Sequence, residues 1–439
     1  MYHKHLTRPA ISEAKQASQL KLACNALHTV LCALFGSGKP ADRVMAAFFR
    51  SNPRCGSRDR RLISEIVYAV LRNWGFLRLR LDLLQQLETG ERAPATAELN
   101  KLIAEAVYLA GIPFPAAQLA KIPVPPTASS IFTRAERLLN RKPDLSLLVP
   151  EWVKDHLEPD FPVDQYIQSL CERPPMWLRM QTADQAALLQ EFTDAGLMPE
   201  RHPVAANAVA IRNAQINLFT LPAYCEGRFE VQDLASQCIG SACSPAPGER
   251  WLDACAGAGG KSLQLAELMQ RKGTVVATDI REYKLEDLRK RARRAGFPNI
   301  QTKAWDGKAL RPQHRERFDG VLVDAPCSCS GVWRRNPDGV WTLKQEEISE
   351  TASLQGRILE AAAPGVKPGG VLVYATCSVF KEENREQVRA FLARHPEFVL
   401  EKFPHPLTGV MTTDGMLQVS PADADCDAMF VARMRKLKG

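Results

Sequence analysis

Apolar residues first recur along this chain every three or four positions. Leu20, Ala23, Leu27, Val30, Leu31 and Leu34 end at Gly36 and Gly38, the spacing and stop of an amphipathic helix. Ile63, Ile66, Val67, Val70 and Leu71 repeat the pattern behind the basic stretch Ser57-Arg-Asp-Arg-Arg-Leu62, where Ser57 is expected to cap. Two more helical segments, Ala95 to Ala110 and Ser129 to Leu139, are separated by Ile122-Pro-Val-Pro-Pro126. Residues 1–140 thus predict an all-helical domain. The stretch 141–164, with Pro143, Pro150, Pro159 and Pro162, reads as a linker with one short helix around Trp152 to Leu157.

The period then changes. Arg173–Gln181 is strand-like, Leu188 to Gly196 a helix closed by glycine, and Ala208 to Arg212 another strand, so 165–240 predicts a small α+β module. Met176, Leu178 and Met180 form its core face by alternation, with Trp177 and Arg179 on the solvent face. A structural role for Trp177 is favoured over stacking a nucleotide with Arg173 and Arg179. Residues 241–439 alternate strand and helix. Strands are predicted at Arg250–Cys255 and Thr274–Asp279, before Trp305-Asp306, at Val321–Asp324 and at Gly370–Thr376, which is the pattern of a doubly wound parallel sheet. The helix after the second strand sets Leu285, Leu288, Ala292 and Ala295 on one face, with Lys290, Arg291, Arg293 and Arg294 elsewhere.

In such a sheet the ligand crevice lies beyond the carboxyl ends of the strands. Two apolar strands stop at cysteines there, Val321-Leu-Val-Asp-Ala-Pro-Cys327 and Gly370-Val-Leu-Val-Tyr-Ala-Thr-Cys377, so Cys327, Cys377 and Asp324 are expected to face one crevice. The glycine-rich turn Ala256-Gly-Ala-Gly-Gly-Lys261 opens a helix after the first strand, and Asp279 ends the second. A backbone cradle followed by an acid for ribose hydroxyls fits a dinucleotide or S-adenosylmethionine. Asp306 is placed to accept from an adenine amino group.

The thiols favour the latter cofactor. Carbon-5 of cytosine is a poor nucleophile until a thiolate adds at carbon-6, and Asp324 could hold the ring nitrogen and exocyclic amine during that step. A helix start or nearby cations should lower the pKa of such a thiol. The bland alternative is a pair of buried, inert cysteines.

Composition narrows the setting. A net charge of +8 over 439 residues leans toward a polyanionic partner, and 45% hydrophobic with 24% charged residues is ordinary for a soluble globular chain. Met1–Arg8 lacks the apolar core of a signal peptide, and no run reads as a membrane span; a cytoplasmic protein is expected. Its 12 cysteines should be mostly reduced, and their spacing suggests no zinc and no other metal. Arg58, Arg60 and Arg61 crowd a helix start, read as a solvated face in preference to a phosphate site.

Asp324-Ala-Pro-Cys-Ser328, Tyr374-Ala-Thr-Cys-Ser378 and Cys255-Ala-Gly-Ala-Gly-Gly-Lys261 together resemble the signature of RNA cytosine-5 methyltransferases of the Sun/Fmu and nucleolar-protein family. The likeness extends to Arg173–Arg179, Val231–Asp233 and Met429–Arg433. Ile63–Arg72 is more loosely similar to the NusB-like helical domain of the bacterial small-subunit rRNA members. The resemblance implies a Rossmann-like, S-adenosylmethionine-dependent domain with RNA, chiefly small-subunit rRNA, as partner. It further implies Cys377 as nucleophile, Cys327 in product release, and cofactor contacts at Cys255, Ala256, Gly257, Ala258, Gly259, Gly260, Lys261, Asp279, Asp306 and Asp324. The chain departs from the family at Gly257-Ala258, where Ala-Pro is common, and at Cys329, where a small residue is usual; Cys329 is taken as incidental.

The implied chemistry requires an unstacked cytosine. Trp333-Arg-Arg-Asn-Pro337, just after Cys327, offers cations and an aromatic near the crevice, and Arg334 and Arg335 are expected to contact phosphates. Two rival readings differ in class. A DNA cytosine-5 methyltransferase would use Pro-Cys as nucleophile, and a non-catalytic RNA-binding assembly factor would not need both cysteines.

Overall fold

The computed structural model describes residues 12–80, 83–88, 93–112, 130–212, 216–310 and 312–438. The expectations for Met1–Arg8 and for the Ile122–Pro126 separator lie outside them. Two compact units are present. One comprises residues up to Glu151 with Leu170–Glu172 and Trp333–Thr342; the other comprises Trp152–Ser169, Arg173–Val332 and the chain from Leu343.

The first unit is helical among its described residues, with its longer helices at Glu13–Ser37, Ala41–Ser51, Ser57–Arg72, Thr96–Ala110 and Ile131–Leu139. Glu13–Ser37 buries Ala23, Leu27, Val30, Leu31 and Leu34, and Gly38 closes it in a left-handed conformation, φ 63°. At 25 residues this helix does have the length and hydropathy a membrane crossing needs, contrary to expectation. Here its apolar stripe packs on Ser57–Arg72 and Thr96–Ala110, and Gln19 donates to the buried Asp59 at 2.8 Å. Ser57 is the first helical residue rather than the cap, which is Gly56. Arg61 pairs with Glu65 at 2.9 Å, and Arg60 donates to the Cys55 carbonyl at 2.9 Å while lying over Phe49.

Trp333–Thr342 belongs to this unit, and the burial of Trp333 and Arg334 corrects the expectation that they offer an aromatic and a cation to the crevice. Trp333 and Arg334 are buried, at 1% and 3% exposure. The Arg334 carbonyl accepts from Arg72 Nη2 at 3.0 Å, Trp341 Nε1 donates to the Leu71 carbonyl at 3.2 Å, and the Asp338 carboxylate accepts from the Ala41 amide at 2.9 Å. Its apolar residues Trp333 and Val340 draw the segment into the core.

The second unit holds two sheets. Strands β1 (Met176–Met180), β2 (Pro199–Arg201), β3 (Ala208–Ile211) and β4 (Phe229–Val231) form an antiparallel sheet in the order β2-β3-β1-β4. One face packs Leu178, Met180, Val209 and Phe229 against Leu188 and Phe192 of helix Gln185–Asp194. The opposite face is buried too, so the predicted solvent side is corrected. Trp177 lies in the larger core and donates to the Asp425 carbonyl at 2.8 Å, and Arg179 donates to Gln232 at 2.6 Å. Alternation cannot separate a solvent face from a second layer of packing. Arg291 and Arg294 clamp buried Glu230 of β4, Arg291 at 2.9 Å.

The larger sheet contains β5 (Arg250–Asp253), β6 (Thr274–Asp279), β7 (Ile300–Ala304), β8 (Phe318–Asp324), β9 (Val366–Thr376), β10 (Phe398–Leu400), β11 (Met416–Val419) and β12 (Met429–Lys436). Its order is β10-β12-β9-β8-β5-β6-β7, with β11 also on β12. β5 to β9 are parallel, as expected. β12 runs antiparallel to β9, and β10 and β11 antiparallel to β12, so the sheet is mixed rather than wholly parallel. Apolar runs reveal a strand but not its direction. β5 meets β6 on one side and β8 on the other, so the chain reverses its order around β5 and leaves a crevice beyond these strand ends.

Candidate active site

β8 and β9 are apolar because both faces are covered, and Gly320 within β8 is required because a Cβ there would lie 2.3 Å from the Trp251 ring. Their register pairs Val323 with Tyr374 and Asp324 with Ala375, and the ladder ends where Ala325 N donates to the Ala375 carbonyl at 2.9 Å. The chain therefore leaves both strands at one level. Cys327 Sγ and Cys377 Sγ are 3.2 Å apart, each half-buried. Cys329, exposed and in a left-handed conformation at φ 59°, joins them so that all three sulfurs lie within 4.8 Å of one another. That grouping is close enough to hold a soft metal ion. The spacing along the chain could not reveal it, because the third ligand comes from another strand.

Three sulfurs this close do not titrate independently. Cys327 is pushed well up, first by its hydrogen bonds to Cys329 and Cys377 and then by burial, while the contacts of Cys329 with Cys327 and Cys377 bring Cys329 down. At Cys377 the Cys327 contact lowers the pKa, but Cys329, burial and Asp324 outweigh it and the net direction is up. This corrects the expectation of a thiol acidified by a helix start. β9 runs into a loop at Ser378–Phe380, and the cation whose charge reaches Cys377 is Lys261.

Lys261 Nζ sits 2.7 Å from Asp324 Oδ2, a largely buried pair that ties the glycine turn to the end of β8. Burial lowers the Lys261 pKa, but Asp324 overrides it and the ammonium is held above its usual value. Beneath the pair lies Asp253, buried, with Ser262 Oγ donating at 2.6 Å. Burial pushes its carboxyl up to about 7.

The turn between β5 and helix Gly260–Leu268 is shaped by two left-handed glycines, Gly257 at φ 54° and Gly259 at φ 88°. A Cβ at Gly259 would meet Leu288 Cγ at 2.4 Å, whereas Gly257 and Gly260 face open space. Ala256 N donates to the Thr278 carbonyl at 2.8 Å, and the Ala258 carbonyl accepts from Arg291 at 2.7 Å. Burial raises the thiol of Cys255. Asp279 accepts from Gly257 N at 2.9 Å and from Arg281 N and Nε at 2.8 and 2.9 Å. Burial would raise its carboxyl, but the Arg281 and Gly257 bonds bring it below the ordinary range. Asp306 follows Trp305, whose amide donates to the Asp279 carbonyl at 3.2 Å. It is exposed beyond β7 and accepts from Lys308 N at 3.1 Å, the bond that chiefly lowers its pKa.

The sequence profile described as 16S rRNA methyltransferase RsmB/F matches residues 241–435. The ribosomal RNA small subunit methyltransferase B of Yersinia pestis bv. Antiqua (strain Angola) is 37% identical over 307 residues, 69% of this chain and 69% of the relative. That of Salmonella typhi is 36% identical over 308 residues, 69% and 70% of the two chains. The chain belongs to the RsmB/F methyltransferase family. Among solved structures, PH0851 matches with a TM-score of 0.74 and 25% identity, over 94% of this chain and 99% of that one. NSun6 from Pyrococcus horikoshii with SFG matches with a TM-score of 0.57 over 66% of this chain and 97% of that one; at 19% identity the likeness concerns the fold.

Within this RsmB/F chain the structure brings together Cys327, Cys377, Asp324 and Lys261 at one strand end and gathers Cys255 to Gly260 with Asp279 beside them. Sequence reasoning missed three features of the site. Cys329 is a member of the sulfur cluster rather than a bystander. Ser328, Ser330 and Ser378 join their hydroxyls at 3.1–3.2 Å beneath the cysteines. Ile280, directly after Asp279, is a large apolar side chain left 69% exposed, a signal that only accessibility reveals.

Proposed function

We propose that this RsmB/F chain transfers a methyl group from S-adenosylmethionine to carbon-5 of a cytosine in small-subunit rRNA, through a transient Cys377–cytosine adduct. The observation that carries the reading is the pair of sulfurs 3.2 Å apart beside the Asp324–Lys261 ion pair. An inert pair of core cysteines would need neither a half-open position nor a buried charge pair next to it.

The turn suits the cofactor. Gly257 and Gly260 leave room for a ligand against backbone, Asp279 is an acceptor at the end of the next strand, and Ile280 offers an apolar surface. Cys255, Ala256, Ala258, Gly259 and Lys261 complete the cradle. Asp324 borders it through Lys261, and Asp306 reaches it by turning from Lys308. Ribose hydroxyls would take the place of the Arg281 side chain on Asp279. When bound, S-adenosylmethionine supplies an electrophilic methyl group.

Cys377 attacks carbon-6 as thiolate, forming a carbon–sulfur bond and making carbon-5 electron-rich. Lys261 is the cation at hand for that thiolate, and Asp324 hydrogen-bonds the base. After carbon-5 is methylated, loss of its proton restores the ring double bond and expels Cys377, with Cys327 assisting release. The basic charge of the chain supports an RNA partner. The helical unit, as a NusB-like part, is proposed to contribute to RNA binding in the cytoplasm.

The test is a denaturing gel with labelled rRNA and S-adenosylmethionine. Cys377→Ala should abolish methylation and form no slow covalent band. Cys327→Ala should accumulate such a band through Cys377. The reversed pattern would make Cys327 the nucleophile, as in the DNA enzymes, and full activity in both variants would end the thiol reading.

A further inference from the structure

The loop that carries Cys327 is short and leaves its strand only at Ala325, so something must fix where its sulfur points. The peptide groups on either side of Cys327 are both held. On one side Gln355 Nε2 donates to the Pro326 carbonyl at 3.0 Å; on the other, the Ser328 amide donates to Glu383 Oε1 at 2.8 Å. The two holders also touch each other, Gln355 Nε2 to Glu383 Oε1 at 2.8 Å. Neither Gln355 nor Glu383 exposes any surface.

Glu383 comes from the loop that follows Cys377, while Gln355 lies on helix Glu346–Ala362. The hydroxyl of Tyr374, in β9, lies 2.6 Å from the Glu383 carbonyl and 3.0 Å from Gln355 Oε1. One buried group thus spans both cysteine loops. Its side chain receives the Ser328 amide, the Ser328 hydroxyl and the Gln355 amide, all neutral donors. Burial raises the Glu383 carboxyl, and these donors oppose the shift. An acceptor-only carboxylate satisfies this convergence of donors; an amide would turn its own N–H groups toward them. A buried carboxylate is costly unless so satisfied.

We infer that Glu383 is a positioning residue for Cys327: by bracketing its peptide groups with Gln355, it holds the Cys327 sulfur against Cys377. The inference rests on the reading that Cys377 forms the adduct and Cys327 helps resolve it. Loss of Glu383 then leaves attack in place and slows release.

The test uses the full chain, labelled rRNA and S-adenosylmethionine, with melting temperature measured on each variant. Glu383→Gln should lower turnover tenfold or more, with the covalent band rising toward that of Cys327→Ala and the melting temperature close to wild type. Gln355→Leu, which removes the other bracket together with one donor to Glu383 but leaves the Ser328 bonds to Glu383 in place, should raise the band to a lesser degree and serves if Glu383→Gln fails to fold. In the Cys327→Ala background, Glu383→Gln should change neither band nor turnover. Lower turnover with no rise in the band from either folded variant overturns the inference, as does a further loss in the double variant. If Cys327→Ala alone traps nothing, the reading beneath it has failed, and the inference falls with it.

Discussion

Replacing Asp253 by Asn should make the protein less sensitive to rising pH. The carboxyl is buried under the Lys261–Asp324 pair, and burial holds its folded-state pKa at about 7, whereas an unfolded aspartate ionises at ~3.9. Between those values the unfolded chain has released a proton that the folded chain retains. Stability is therefore fully present below the unfolded pKa, falls as pH rises toward 7, and levels off above it. The gap between the two values, at ~1.4 kcal/mol per tenfold change, sets the complete loss at about 4 kcal/mol, of which roughly 2–3 kcal/mol falls between pH 5 and pH 8. Asn keeps the shape and can still accept from Ser262 Oγ, but has no proton to lose. Urea denaturation of wild type and Asp253→Asn at pH 5, 6.5 and 8 should show the stability difference moving by that amount in favour of the variant. A difference constant to within ~1 kcal/mol across the range would refute a carboxyl raised by burial, and place a charged Asp253 in the folded protein at neutral pH.

Other outcomes bear on the glycine turn. Gly259→Ala should destabilise by roughly 1–3 kcal/mol, because its Cβ would strike Leu288 in a left-handed conformation, while Gly260→Ala, facing open space, should leave thermal unfolding unchanged and weaken S-adenosylmethionine binding. Equal melting temperatures for the two variants would remove the packing argument; unchanged calorimetric affinity of Gly260→Ala would remove the close approach of cofactor to backbone. Asp279→Ala should weaken S-adenosylmethionine by roughly 1.5–3 kcal/mol, the scale of a hydrogen bond to a charged group. Unchanged affinity in calorimetry would mean that the carboxylate serves only to hold Gly257 and Arg281.

Much of the catalytic unit was legible because its determinants are local. The strands before Asp279, Asp324 and Cys377 announce themselves as apolar runs, and the turn at Gly257–Gly260 through its glycines. What escaped was set by partners distant in sequence. The direction of β12 follows from the excursion through β10 and β11, which no periodicity records. Arg334 looked like a phosphate contact because its neighbour is another arginine, yet Trp333 and Val340 take the segment into the helical core. Arg179 looked solvent-facing until a second layer of packing covered it. Glu383 sits in Lys381-Glu-Glu-Asn384, a run that reads as a wet loop; only the donors at Ser328 and Gln355 reveal why an acid is buried there. Cys329 was set aside because a comparison of motifs says nothing about where a side chain ends in space.

The antiparallel pairing of β12 with β9 has a consequence for how the protein is made. Val371–Thr376 lies inside the sheet only because Phe430–Arg435 covers its outer edge. Before Met429–Lys436 is available, a nascent chain already contains both cysteines, but the strand leading to Cys377 has an open row of amides and carbonyls along an apolar, β-branched face. That is the kind of edge on which chains stick to one another. Synthesis interrupted in that window would yield a species prone to aggregate and dependent on chaperones, and without the strand that secures the Cys377 side of the crevice. Competence for chemistry and freedom from aggregation arrive together, with the same eight-residue strand.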